Sequence, residues 1–118
     1  MTFFYLGSPY THLEPSIMQE RHDKACKVMV DLLRLGHTIY SPIVHFHHAA
    51  IAHALPVEAT FWEKHNLNML AQAKAFIVLQ LPGWRESKGL GTELAYCRRY
   101  STPIRHISPG NYFALRNL

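Results

Sequence analysis

In the stretch "GWRESKGLGTELAYC", residues 83–97, one carboxylate, Glu93, follows two glycines at the start of a helical pattern. Its downstream neighbours Leu94, Ala95 and Tyr96 carry no charge, unlike the company a surface glutamate keeps. Helical side chains lean toward the helix N-terminus, over the residues three and four positions earlier. For Glu93 these are Leu90 and Gly89. Glycine at 89 leaves an open notch beside the carboxylate, and Gly91 lets a ligand approach the backbone. The amides and dipole of a helix start favour an ionised carboxylate and also bind phosphate. An ionised carboxylate facing a notch suits a nucleophile, whereas a general acid needs a raised pKa. Ser87 stands roughly 9 Å upstream at helical rise, the scale of a nucleotide from sugar C1′ to 5′-phosphate. The alternative is that Ser87 only caps the helix and Glu93 only decorates its first turn.

Other reactive side chains form weaker patterns. His45, His47, His48 and His53 follow a strand without metal-ligand spacing, so they read as a pocket wall or lid, or as a plain loop. Trp84 is divided between stacking on a base and packing at a rim, and Tyr10 between lining a pocket and packing a turn. Arg85 and Lys88 either attract a phosphate or sit solvated. Ser8 and Thr11 lack a triad partner, and the glycines match neither a dinucleotide fingerprint nor a Walker loop. No metal or organic cofactor is expected. Asp23 and Asp31, the only aspartates, fall in a long helix as surface residues.

These side chains must be positioned by one domain, residues 1–118, with 48% hydrophobic and 17% charged residues. The composition is that of a folded chain. No apolar run approaches the ~20 residues of a membrane span, and "MTFFYLGSPY" lacks the features of a leader peptide. A cytoplasmic location is expected, with no membrane partner. Cys26 and Cys97 read as buried free thiols on helix faces. The net charge of +4 permits an anionic ligand. The basic residues are scattered, which favours a small molecule over a nucleic-acid polymer.

Strand and helix patterns alternate. "TFFYLG" (2–7) reads as a buried strand. A helix is expected from Pro15 to Leu35, with Ile17, Ala25, Val28, Met29, Leu32 and Leu33 inward and Gly36 beyond its end. "HTIYSPI" (37–43) reads as a strand stopped by Pro42, and 44–56 as a loop with one helical turn. A helix over 57–73 turns Phe61, Leu67, Leu70 and Ala71 inward. "AFIVLQLP" (75–82) reads as a central parallel strand, Ser87 to Tyr100 as a helix and "TPIRHIS" (102–108) as the last strand. The tail reads as irregular. The result is an α/β sandwich with a mostly parallel sheet of four or five strands. Loops 7–14, 42–56 and 81–89 share its carboxyl edge, where such folds bind ligands.

"YLGSPYT" on a first strand, with "LPGWRESKGLGTELAY" after a late one, resembles the nucleoside 2-deoxyribosyltransferase-like superfamily. The pattern Gly-Trp-x-x-Ser-x-Gly-x-x-x-Glu from Gly83 to Glu93 is similar to that of an uncharacterised bacterial branch near the deoxynucleoside 5′-monophosphate N-glycosidases. The resemblance spans roughly residues 3–107. It implies a flavodoxin-like three-layer fold, a nucleophilic Glu93 that attacks the anomeric carbon, and Tyr5 beside it. It also implies a homodimer or larger homo-oligomer and a nucleoside or nucleotide ligand. Ser87 stands where the monophosphate enzymes place a phosphate-binding serine and the free-nucleoside transferases an aspartate. Asn66 stands where the superfamily usually has an aspartate that serves the leaving base, and an amide cannot deliver a proton. Glu63 or a histidine from 45–53 is the substitute on offer. Gly7, Ser8, Gly89, Gly91, Trp84 and His45 complete the expected binding set. A non-catalytic nucleotide sensor is the alternative function.

Overall fold

The computed structural model describes residues 2–110. Its elements run β1 (Phe4–Gly7), α1 (Pro15–Arg34), β2 (Ile39–Tyr40), α2 (Pro42–Ala52), α3 (Ala59–Leu70), β3 (Ala75–Leu79), α4 (Lys88–Tyr100) and β4 (Ile104–Ile107), with one 3-10 turn at Trp84–Glu86. All four strands are parallel, in the order β2-β1-β3-β4. This is a flavodoxin-like sandwich. Its topological switch point lies between β1 and β3, which pair Tyr5 with Phe76 and Gly7 with Val78.

Every residue of β1 and β3 is buried, because helices cover both faces of the sheet. Alternation along the strands sends Phe4, Leu6, Ile77 and Leu79 to one side, where Ala25, Val28 and Leu32 of α1 meet them. Tyr5, Phe76 and Val78 go to the other side, against Leu70 of α3 and Leu90, Leu94 and Cys97 of α4. Each such aliphatic or aromatic side chain contributes about 1.5–3 kcal/mol of transfer free energy. A third cluster, Tyr10, Ile43, Phe46 and Ala50, seats α2 beyond the strand ends.

Three expectations are corrected. Pro42 does not stop a strand; it opens α2, where Ser41 Oγ accepts the Val44 N–H at 3.2 Å. β2 shrinks to two residues, and 44–56 is mostly helix, because Ile43, Phe46, His47 and Ala50 recur at helical spacing on one buried face. Phe61, Leu33 and Ala71 are exposed: α3 buries only Leu70 fully, and α1 meets the sheet one position earlier, at Leu32. Cys97 is buried, while Cys26 is only half-buried. The expected irregular tail lies largely outside the described residues.

Two glycines test this packing. A Cβ on Gly7 would stand 2.5 Å from Phe76 Cε1 and 2.9 Å from Leu90 Cδ2, whereas one on Gly91 would meet nothing within 4 Å. Gly7→Ala is expected to lose about 1–3 kcal/mol through overpacking. Gly91→Ala is expected to gain up to about 1 kcal/mol from helix propensity. Urea denaturation of the two variants checks both signs.

Candidate functional site

A cavity of about 420 Å³ opens at the carboxyl ends of β1 and β3, between the start of α2, the α3 face and the start of α4. Arg21 ties its two floor loops together. Its guanidinium donates to the carbonyls of Tyr10 (3.3 Å) and Thr11 (3.1 Å) after β1, and of Pro82 (3.3 Å) after β3. A Cβ on Gly83, whose φ is +91°, would fall 2.5 Å from that guanidinium. The left-handed conformation favours glycine there, and a side chain would also push the end of Arg21 aside.

Glu93 projects from the second turn of α4 and is 7% exposed, at the cavity wall. Its Oε2 accepts a hydrogen bond from the hydroxyl of Tyr5. Tyr5 is completely buried on β1, with Tyr40 and Phe76 packed against its ring. Burial pushes the Glu93 carboxyl up to about 7, with the Tyr5 hydrogen bond pulling the other way. Burial first, and then the Glu93 charge, raise the Tyr5 hydroxyl far beyond its ordinary range, so it stays a donor. Tyr40 is pushed up to about 12, again by burial and then by Glu93. Burial thus opposes the ionised carboxylate expected at a helix start. The helix dipole acts over the first turn, and at Glu93 desolvation outweighs it.

Ser87 caps α4: its Oγ accepts the Leu90 N–H at 3.2 Å. That bond leaves the hydroxyl proton available, and the amides of Lys88 and Gly89 have no partner within the helix. Capping and anion binding are thus compatible at this residue. Gly89 lines the cavity, with the Cβ of Ala59 3.6 Å from where its own would stand. Gly7, Ser8 and Asn66 also line it. Ser8 Oγ and Asn66 Oδ1 are buried without a hydrogen-bond partner among the described residues. A buried polar atom left unpaired costs about 1–3 kcal/mol, so each calls for a partner that the described residues do not supply.

Six of the ten expected residues thus line the cavity, and Tyr5 braces Glu93 from behind. Gly91, Trp84 and His45 do not line it. Gly91 faces open space on the outer side of α4. Trp84 packs with the α4 cluster, its ring 5.6 Å from that of His106. His45 is exposed and stacks toward His65. The aromatic wall comes instead from Phe46 and Trp62, stacked with ring centroids 4.1 Å apart at 16°. The Trp62 Nε1–H is taken by the Pro56 carbonyl at 2.8 Å, which fixes the ring. Helical spacing in α3 offered Trp62 through its place one turn before Asn66, but a half-polar segment hid it.

The histidines resolve individually. His47 is buried, with Nδ1 2.6 Å from the Tyr10 hydroxyl and Nε2 2.9 Å from Gln19 Oε1. The Gln19 amide group donates to Asp23 Oδ1 at 2.8 Å, so Oε1 faces His47 and the Nε2 of His47 carries the proton. The neutral ring's Nδ1 accepts, and the Tyr10 hydroxyl, on the cavity wall, donates to it. Burial, then His22 and His48, hold the His47 pKa down against the opposing pull of Asp23. Among the described residues no group of three His, Cys, Asp or Glu is placed to hold a metal ion, and no helix is long and apolar enough to cross a membrane.

The raised Glu93 pKa sets a stability test. A carboxyl whose folded pKa lies near 7, above its ordinary 4.5, favours the fold below 4.5. That contribution is lost as pH rises through about 7. The shift corresponds to about 3 kcal/mol. Glu93→Gln is expected to match the wild type near pH 4.5 and to be more stable by up to that amount at pH 8. Paired denaturation curves at the two pH values measure it.

No curated protein matches the chain. The model of the family described as "Domain of unknown function (DUF1937)" matches residues 2–108. By that match over most of its length, the chain belongs to the family of that domain of unknown function.

Proposed function

We propose that the protein cleaves or transfers the N-glycosidic bond of a nucleoside or, by preference, a deoxynucleoside 5′-monophosphate, with Glu93 as nucleophile. The observation that carries this reading is a buried carboxyl held through one oxygen by a permanent tyrosine donor, in the wall of a cavity at the switch point. Tyr5 fixes Oε2 and leaves Oε1 to attack the sugar C1′. The C1′–N bond breaks and its electron pair leaves with the base. An acceptor base or water then displaces Glu93 from the glycosyl ester. Ser87 and the Lys88 and Gly89 amides suit the 5′-phosphate, and the Phe46–Trp62 stack suits a base. Asn66 and Ser8 supply polar contacts to base or sugar. The resemblance in sequence supports the same assignment and suggests a homo-oligomer in which a partner chain closes the site.

A second reading, a nucleotide sensor, draws on the burial that holds the Glu93 carboxyl above its ordinary range and on Asn66. A panel of deoxynucleosides and their 5′-monophosphates, with and without an acceptor base, decides between them by chromatography of free base. For the enzyme, Glu93→Ala is expected to reduce base release at least about 10³-fold while ligand still binds. Ser87→Ala is expected to raise KM for monophosphates about tenfold and to leave free nucleosides little affected. In the free enzyme kcat/KM should rise with pH through about 7, as Glu93 ionises. Ligand binding with no base release from any substrate would establish the sensor.

A further inference from the structure

The cavity is electrically lopsided. Four glutamates line it, Glu58, Glu63, Glu86 and Glu93, against the one cation Lys88. Glu58 stands at the N-cap position of α3 without a side-chain capping bond and Glu63 lies within the helix; both are exposed, and neither makes an ion pair among the described residues. The same helix brings Trp62, stacked on Phe46, and Asn66, whose buried Oδ1 has no partner. At the start of α4 the picture differs. Glu86 and Glu93 stand there too, but so does the cavity's one lining cation, Lys88, and the Ser87 hydroxyl and two helix-start amides add donors. The α3 side therefore carries carboxylates and the aromatic stack without a lining cation, and the α4 side carries the donors an anion would use. The cavity also holds the 7% exposed Ser8, with its unpaired Oγ, so it is a site for a polar ligand and not a surface patch of acids alone.

Neither Asn66 nor Tyr10 is a prearranged acid for a leaving base, and the α3 carboxyls Glu58 and Glu63 are exposed. Asn66 has no proton to give, and the Tyr10 hydroxyl proton is directed to His47. Carboxylates beside an aromatic face are the environment of an organic cation. We infer that the substrate is a nucleoside 5′-monophosphate whose base already carries a positive charge at the glycosidic ring, such as an N7-alkylated purine or a pyridinium. This inference rests on the proposed glycosidic chemistry and narrows its substrate class.

The step balances without an acid. Glu93 Oε1 forms the bond to C1′ as the C1′–N⁺ bond breaks. The electron pair of that bond neutralises the ring nitrogen, and the base departs uncharged with no proton added. One cation and one carboxylate become a neutral base and a neutral ester. Water then attacks C1′, the ester oxygens regain the carboxylate, and the water's surplus proton goes to solvent. Hydrolysis of a cationic substrate thus releases one proton per turnover. A cationic base near the buried Glu93 also favours its ionised, nucleophilic form.

The test uses matched pairs: the 5′-monophosphates of N7-methylguanosine and 7-methyl-2′-deoxyguanosine against their unmethylated counterparts, just below neutral pH. Because N7-methylation also weakens the glycosidic bond, binding is read first, by calorimetry on Glu93→Ala. The methylated ligand is expected to bind at least about tenfold tighter, with the ratio falling as salt is raised. Adding Glu58→Gln and Glu63→Gln should bring the ratio toward one without weakening the unmethylated ligand. In the wild type, base release from the methylated substrate should depend on Glu93 and release one proton. Equal binding of both ligands, or a preference that survives both glutamine substitutions, overturns the inference. Glu93-dependent cleavage of uncharged substrates alone overturns it too, while leaving the glycosidase reading intact. Base release that persists in Glu93→Ala removes that reading, and the inference with it.

Discussion

The hydrogen bond between Tyr5 and Glu93 joins the centre of the sheet to the helix that follows β3, and the site depends on it. Tyr5 cannot shift, because β1 is paired on both sides and all its residues are buried. Glu93 cannot shift without moving α4, which is anchored by Leu90, Leu94 and Cys97 in the same cluster as Tyr5. Gly7 completes the arrangement by admitting Phe76 and Leu90 into the space a side chain would fill. Core packing therefore sets the position of the carboxyl. That position has an energetic consequence: a carboxyl removed from water resists ionisation, and one tyrosine donor offsets only part of the cost.

The topology accounts for why the remaining groups converge. At the switch point the connections from β1 and β3 leave in opposite directions, and a crevice opens between them. Arg21 spans that crevice from α1, binding carbonyls of both loops, so its width is fixed by a side chain outside the cavity wall. α2 and α3 close the third side with aromatic and aliphatic groups, packed on the cluster around Phe46. One end of the site is thus built from backbone amides and a hydroxyl, and the other from an aromatic stack and carboxylates.

Much of this was legible in the sequence where one signal dominated. Pro15 and Gly36 bracket α1, the unbroken apolar run 75–79 marks the central strand, and Ser87 with the glycines marks the start of α4. Glu93 stood out because its charge had no local reason. The rest depended on contacts distant in the chain. His47 is buried by Tyr10 and Gln19, so the histidine-rich segment that read as a loop is a helix with one inward face. Trp62, and not Trp84, meets the cavity, because its α3 face turns toward Phe46 while Trp84 folds back on α4. Asp23 read as a surface residue, and it is exposed, yet it orients Gln19 and through it His47. The shifted pKa of Glu93 was illegible for the same reason: the helix start argues for an anion, and only the tertiary structure supplies the burial that overrides it.

The buried groups around the site include several acceptors. Asn66 offers a carbonyl oxygen, Glu93 its carboxylate, and Tyr10 an oxygen whose proton is turned toward His47. The donors lie apart, in the Ser87 hydroxyl and the first amides of α4, where negative charge is accommodated. On the proposed reading, a ligand would present its anion to α4 and its positive charge to α3. The same distribution acts on Glu93. Positive charge brought near a buried carboxyl stabilises its ionised form and so offsets the cost of its desolvation. In the proposed reaction, the burial that makes Glu93 reluctant to ionise would also leave its carboxylate a weakly hydrated nucleophile.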